Sequence, residues 1–143
     1  MSDLPDLNVW LALANENHQH HNIARQYWEN ESGEKILFCR ITMLGFLRLL
    51  TNSVVMNGYP FTASEAWQIY HDFALLPEVK FLYEPNSFEK RFADFSERAN
   101  FPVKLWTDAY LAALAVESSC RLVSFDHDFT RFKNLKFLCL RTS

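Results

Sequence analysis

Apolar residues along this chain fall into short runs and longer periodic stretches that take turns. The short runs are Leu4–Asp6, Lys35–Cys39, Val79–Tyr83, Arg121–Phe125 and Leu135–Leu140. Brief continuous apolar runs bounded by polar residues predict buried strands. Pro5 confines the first run to the beginning or edge of a strand, because proline offers no N–H to the ladder. The longer stretches predict helices over Asn8–Ala14, through Ile23–Trp28, over Thr42–Asn52, over Glu65–Leu75, from Asn86 to Ala99, and through Ala109–Ala115. Thr62 and Glu65 have capping-box spacing, Asn86 and Glu89 repeat the cap-and-acid pattern, and Thr107 is placed to cap the last helix. Strands and helices alternate almost throughout, which predicts an α/β fold with a parallel sheet covered by helices.

Acidic residues stand at the boundaries of these elements. Asp6 lies between the first strand and its helix. Asp108 lies in the first turn of the alanine-rich helix, and Asp126 lies just past the following strand. Ligands of open α/β sheets bind outside the carboxyl ends of the strands. Asp128 joins this set, or else only caps the turn after Asp126. Carboxylates from distant segments that converge make a site of hard oxygen ligands, suited to Mg²⁺ or Mn²⁺ rather than zinc. Such ions activate water and neutralise charge on a phosphodiester. His18, His20 and His21 lack partners at zinc spacing and read as cap and packing residues. The three glycines are isolated, so there is no phosphate-binding glycine loop.

Composition narrows the class further. A chain of 143 residues, 49% hydrophobic and 22% charged, is expected to form one soluble domain over 1–143. Cys39, Cys120 and Cys139 are scattered and odd in number, which favours buried thiols in a reducing compartment. No basic-apolar leader opens the sequence and no run is long enough to cross a membrane, so a cytoplasmic protein is expected. Taking the four aspartates as a metal-holding cluster removes four negative charges from a net −3 and leaves +1. Arg40, Arg48, Lys104, Arg121, Arg131 and Lys133 are then available to a polyanion.

Four blocks carry a resemblance. They are Leu4–Val9 with the histidine cluster, Arg40–Asn52, Leu105–Ala113 with Asp108, and Val123–Phe129 with Asp126 and Asp128. In this order and spacing the chain resembles PIN domains, and more narrowly the VapC toxin ribonucleases of bacterial toxin–antitoxin pairs. The resemblance implies a three-layer α/β/α sandwich and Mg²⁺- or Mn²⁺-dependent cleavage of RNA, often tRNA or rRNA. It also implies a small VapB-like antitoxin as partner, and a homodimer. Asp6, Asp108 and Asp126 match the family's metal-binding acids, and Asp128 matches a frequent supporting acid. The glutamate that the family usually carries three residues after the Ser/Thr of the second block falls on Gly45, counted from Thr42.

Two other readings stand beside this one. A domain of the same fold without catalysis, using its acids for cation or partner contacts, is motivated by Gly45. A phospho-accepting receiver switch needs an aspartate after its third strand, and Tyr83-Glu84-Pro85 stands there instead.

Overall fold

The fold is described from a computed structural model, over residues 1–141. Five strands form one parallel sheet in the order β3-β2-β1-β4-β5: β1 (Ser2–Pro5), β2 (Lys35–Phe38), β3 (Val79–Phe81), β4 (Arg121–Ser124) and β5 (Lys136–Cys139). The helices are α1 (Leu7–Ala14), α2 (His21–Asn30), α3 (Arg40–Leu50), α4 (Ala63–Ala74), α5 (Phe88–Ser96) and α6 (Trp106–Glu117). The sheet is covered on both faces, as the alternation of elements requires. Leu4, Leu37, Cys39 and Leu122 point to one face and pack with α5 and α6. Ile36 and Phe38 point to the other and pack with Trp10, Phe46, Leu50 and Tyr70 from α1, α3 and α4. Trp10 stacks on Phe38 with ring centroids 3.7 Å apart.

Two expectations change at the centre of this sheet. β1 is the middle strand, so Pro5 is neither at a strand's beginning nor on an edge. It is tolerated because it is the last residue of the strand. Pairing of β1 with β2 runs only over Ser2↔Lys35 and Asp3↔Ile36, while the β4 side continues through an Asp6 N–H donated to the Val123 carbonyl at 2.8 Å. The missing proline N–H thus falls where β1 and β2 have already parted. Helix α6 is buried all round from Ala109 to Ala115 rather than along one face. Its four alanines let it lie close between the sheet and α5, which is the pattern of a fully enclosed helix.

Capping follows the sequence in one place and departs from it in two. Thr62 and Glu65 form the expected reciprocal box, with Glu65 N to Thr62 Oγ1 at 3.1 Å and Thr62 N to Glu65 Oε1 at 2.9 Å. Thr107 does not cap α6. A 3₁₀ turn, Val103–Leu105, runs straight into the helix, so Thr107 already lies within the first turn. α5 begins at Phe88 without a side-chain cap and ends at Ser96, short of Ala99.

The amino end of the sheet is fastened by Asp3, a carboxylate inside a strand rather than at an element boundary. Asp3 is fully buried, and its carboxylate accepts from Tyr27 Oη at 2.6 Å, Gly33 N at 2.8 Å, and Arg121 Nε and Nη2, each at 2.9 Å. Gly33 is needed there: a Cβ would run into the Met1 carbonyl and lie 3.1 Å from Asp3 Oδ1. Arg121, expected among the cations free for a polyanion, is therefore committed to an internal ion pair. All three cysteines are free, with Cys39 and Cys120 buried and Cys139 partly so. No helix among the described residues is long and apolar enough to cross a membrane.

Candidate functional site

Chain connections leave β1 in opposite directions along the sheet, toward β2 and β3 on one side and β4 and β5 on the other. The junction of β1 with β4 is thus the point where strand order reverses, and such a junction opens a crevice at the carboxyl ends. Asp6 follows β1 and Asp126 follows β4, so these two acids flank that crevice. Asp6 is the N-cap of α1. Leu7 N donates to its Oδ1 at 2.7 Å, and its negative charge sits at the positive end of the helix. Asp108 comes in from α6, whose first turn lies at the same end because the helix runs back to feed β4.

Ser124, the last residue of β4, joins the two flanking acids. Its buried Oγ donates to Asp6 Oδ2 at 2.8 Å and accepts from Asp126 N at 3.0 Å. Asn8 Nδ2 donates to the same oxygen at 3.3 Å, while Asn8 Oδ1 is buried without a partner. Asn8 and Ser124 lie within two of the sequence blocks that carry the family resemblance. The available signal was spacing: Asn8 stands two residues after Asp6, and Ser124 two before Asp126. Asp126 in turn caps the 3₁₀ turn His127–Arg131, its Oδ1 accepting from Asp128 N at 2.8 Å. The capping role considered for Asp128 thus belongs to Asp126. Asp128 instead faces Arg131, at 3.5 Å from its guanidinium.

The electrostatics bind these acids into one set. Burial pushes the Asp6 carboxyl above its ordinary value, against the lowering effect of its Ser124 and Leu7 hydrogen bonds, and Asp126 pushes it further. Asp108 is raised to about 6, first by burial and then by the charges of Asp6, Asp126 and Asp128, with Arg131 opposing. Each of the four expected acids therefore enters one mutually repelling group. Among the described residues no three His, Cys, Asp or Glu side chains converge at metal-ligand distance. Mg²⁺ needs no such convergence, because it retains several waters and takes one or two carboxylates directly. An all-oxygen donor set, with Asp6 and Asp108 raised by burial and then by neighbouring acids, and an unpaired Asn8 oxygen beside it suit a hard divalent cation. Burial pushes the nearby Cys39 thiol up, and Asp6 adds to this.

Other expected residues lie outside the group. His21 Nδ1 is 2.7 Å from the Ala12 carbonyl, and His20 stacks on Phe125 with centroids 4.7 Å apart, which are the packing roles expected of them. Arg40 lies over the Phe81 ring at 4.5 Å. On the β3 side Tyr110 donates to Glu84 at 2.6 Å, a contact that nothing in the sequence reading anticipated. At Gly45, where the family glutamate would fall, another side chain packs closely. A Cβ there would come within 2.6 Å of Leu7 Cδ2, so the glycine admits the side chain next to Asp6.

Comparison with known proteins follows the same outline. Residues 4–135 match the PIN domain, and the chain belongs to that family. Within it, the chain is 36% identical to Ribonuclease VapC41 of Mycobacterium tuberculosis, across 96% of this chain and 97% of that one. Among solved structures, VapBC2 from Rickettsia felis, bound to a promoter DNA fragment, superposes with a TM-score of 0.68 at 13% identity, covering 99% of this chain and 100% of that one. VapC20 of M. tuberculosis, described as a Sarcin-Ricin loop cleaving toxin, superposes with a TM-score of 0.65 at 17% identity, covering 90% and 93%. These two share the fold.

Proposed function

We propose that this chain is a divalent-metal-dependent endoribonuclease of the VapC type, acting as the toxin of a type II toxin–antitoxin pair. The observation that carries the proposal is the gathering of Asp6, Asp108, Asp126 and Asp128 at the β1/β4 junction, with Ser124 bonded to both flanking segments. Asp6, Asp108 and Asp126 are assigned to hold Mg²⁺ or Mn²⁺, in part through the waters that the ion retains, with Asp128 in support. Bound there, the cation supplies a nucleophilic water and offsets charge on the phosphodiester in the transition state. The protein's part is positioning: Ser124 holds the Asp6 carboxylate, and the 3₁₀ turn capped by Asp126 fixes where Asp128 and Arg131 stand.

The substrate in this reading is tRNA or rRNA, cut in single-stranded loops whose bases are open to contact. A VapB-like antitoxin, a homodimer, a cytoplasmic location and a single PIN unit over the whole chain belong to the same reading. A catalytically weak member of the fold that binds RNA or protein is the second reading, and Gly45 favours it, because Leu7 packs where the family glutamate would be rooted. Induction in a bacterial host separates the two. The nuclease reading expects growth arrest with the wild type and none with Asp6→Asn. Equal growth of both, with wild-type protein present, supports the binding domain.

A further inference from the structure

A groove of about 470 Å³ lies between α5 and the segment linking the 3₁₀ turn His127–Arg131 to β5. Arg91, Arg98, Arg131 and Lys133 line it together with Phe95 and Phe132, and Asp94 is the one carboxylate on its walls. Counting Glu117 and Asp128, which pair with Arg91 and Arg131, beside Asp94, four cations face three carboxylates, a local excess of one positive charge on a chain whose net charge is −3. Two of the cations are engaged. Arg91 pairs with Glu117 at 2.8 Å, and Arg131 donates to the Asp128 carbonyl at 3.0 Å. Arg98 and Lys133 are exposed and make no ion pair among the described residues; Arg98 lies over the Phe101 ring, 5.4 Å from its centroid.

We propose that this groove is a track for the phosphate backbone of single-stranded RNA running to the acid cluster. The proposal rests on the nuclease reading above and says where its substrate lies. Three features favour RNA over another anion. First, the groove and the acid cluster share Arg131, whose guanidinium stands 3.5 Å from Asp128, so a strand in the groove leads directly to the acids. Second, Arg98 follows α5 and Lys133 precedes β5, so the two cations without an ion pair reach the groove from different elements. Third, two aromatic residues line it: Phe132 is buried with its centroid 5.2 Å from Phe95, and the half-buried Phe95 carries the Arg91 guanidinium 5.8 Å from its ring centroid. A cationic groove with an aromatic face is how single strands are held without sequence preference. An acidic peptide would use the cations and leave Phe95 idle.

The test is binding of a fluorescein-labelled 12-nucleotide single-stranded RNA to the full-length protein across a range of salt. Ca²⁺ replaces Mg²⁺, and a gel checks that the RNA stays intact. The Arg98→Gln/Lys133→Gln double variant is compared with wild type and with Arg25→Gln/Lys35→Gln, which makes the same charge change on exposed residues away from the groove. Each lost phosphate contact on a single strand lowers the log–log salt slope by about 0.7. The groove variant should therefore bind about tenfold more weakly, with a slope shallower by about 1.4, while the control pair stays near wild type. Wild-type affinity and slope in the groove variant would overturn the track and leave the nuclease reading standing. Displacement of the RNA by poly-glutamate of equal charge at matching concentration would assign the groove to acidic peptides and overturn it as well. A wild type that neither binds nor cleaves RNA takes down the track and the nuclease reading together.

Discussion

Replacing Asp3 with Asn should destabilise this protein by about 3 kcal/mol while leaving the acid cluster untouched. The side chain is fully buried, and both carboxylate oxygens are used: Oδ2 by Tyr27, Gly33 and Arg121, and Oδ1 by Arg121. An asparagine of the same shape places an NH₂ where one of those donors points and removes the charge facing the guanidinium. Breaking a buried ion pair from one side costs about 3–5 kcal/mol, because the remaining partner is left uncompensated. The lower end applies here, since the Arg121 side chain keeps 23% of its surface exposed and can turn to water. For a domain of this size that is a fall in Tm of roughly 6–12 °C. Urea unfolding followed by tryptophan fluorescence measures it. Removing both partners in Asp3→Asn/Arg121→Met should cost less than the sum of the two single changes, because neither then leaves a charge alone. A loss below about 1 kcal/mol for Asp3→Asn, or strict additivity in the double variant, refutes the view of Asp3 as a closed ionic anchor.

Four further outcomes follow from the site and its neighbour Gly45. Because Asp108 titrates at about 6 in the fold against an ordinary 3.8, the native state holds its proton more tightly than the unfolded chain. Its contribution is therefore favourable at low pH and is lost as pH rises between those values. With solvent screening of this partly exposed group the effect is about 1 kcal/mol or less, and urea midpoints from pH 4 to 7 without divalent ions should show it. Stabilisation by Mg²⁺ or Mn²⁺ should run the other way, vanishing in thermal melts as pH falls through about 6, since the ligands must be ionised. Gly45→Ala should change stability by less than about 0.5 kcal/mol: the helix gains about 1 kcal/mol in propensity, and an added Cβ forces Leu7 off its rotamer at similar cost. A urea-measured gain of the full propensity value would show that Leu7 moves freely. Ser124→Ala should weaken Mn²⁺ binding in calorimetry, because Asp6 loses the hydroxyl that holds it; unchanged affinity would make Ser124 a packing residue only.

Much of the fold and most of the acids were legible because each lies at a boundary between two kinds of hydrophobic pattern. Asp6, Asp108 and Asp126 stand where a run stops and a helix or turn starts, and a parallel sheet sends those ends to one side. Asp3 was illegible for the opposite reason. It lies inside a strand, and its partners Tyr27, Gly33 and Arg121 are 24, 30 and 118 residues away. Pro5 misled because strand order is a property of the assembled sheet, and a proline at the last position of a central strand loses no bond. Thr107 misled because a 3₁₀ turn extended the helix start by one residue beyond the best capping side chain. At Gly45 the sequence shows only that the family glutamate is missing; that Leu7 packs there is a property of the assembled fold.

Cleavage of RNA by the purified protein, with Mg²⁺ or Mn²⁺ against excess EDTA and for wild type against Asp126→Asn, tests the central claim most directly. The account predicts cutting by the wild type only when a divalent ion is present, and loss of nearly all of it in the folded Asp126→Asn variant. Undiminished cutting in EDTA, or near wild-type cutting by Asp126→Asn, would contradict it.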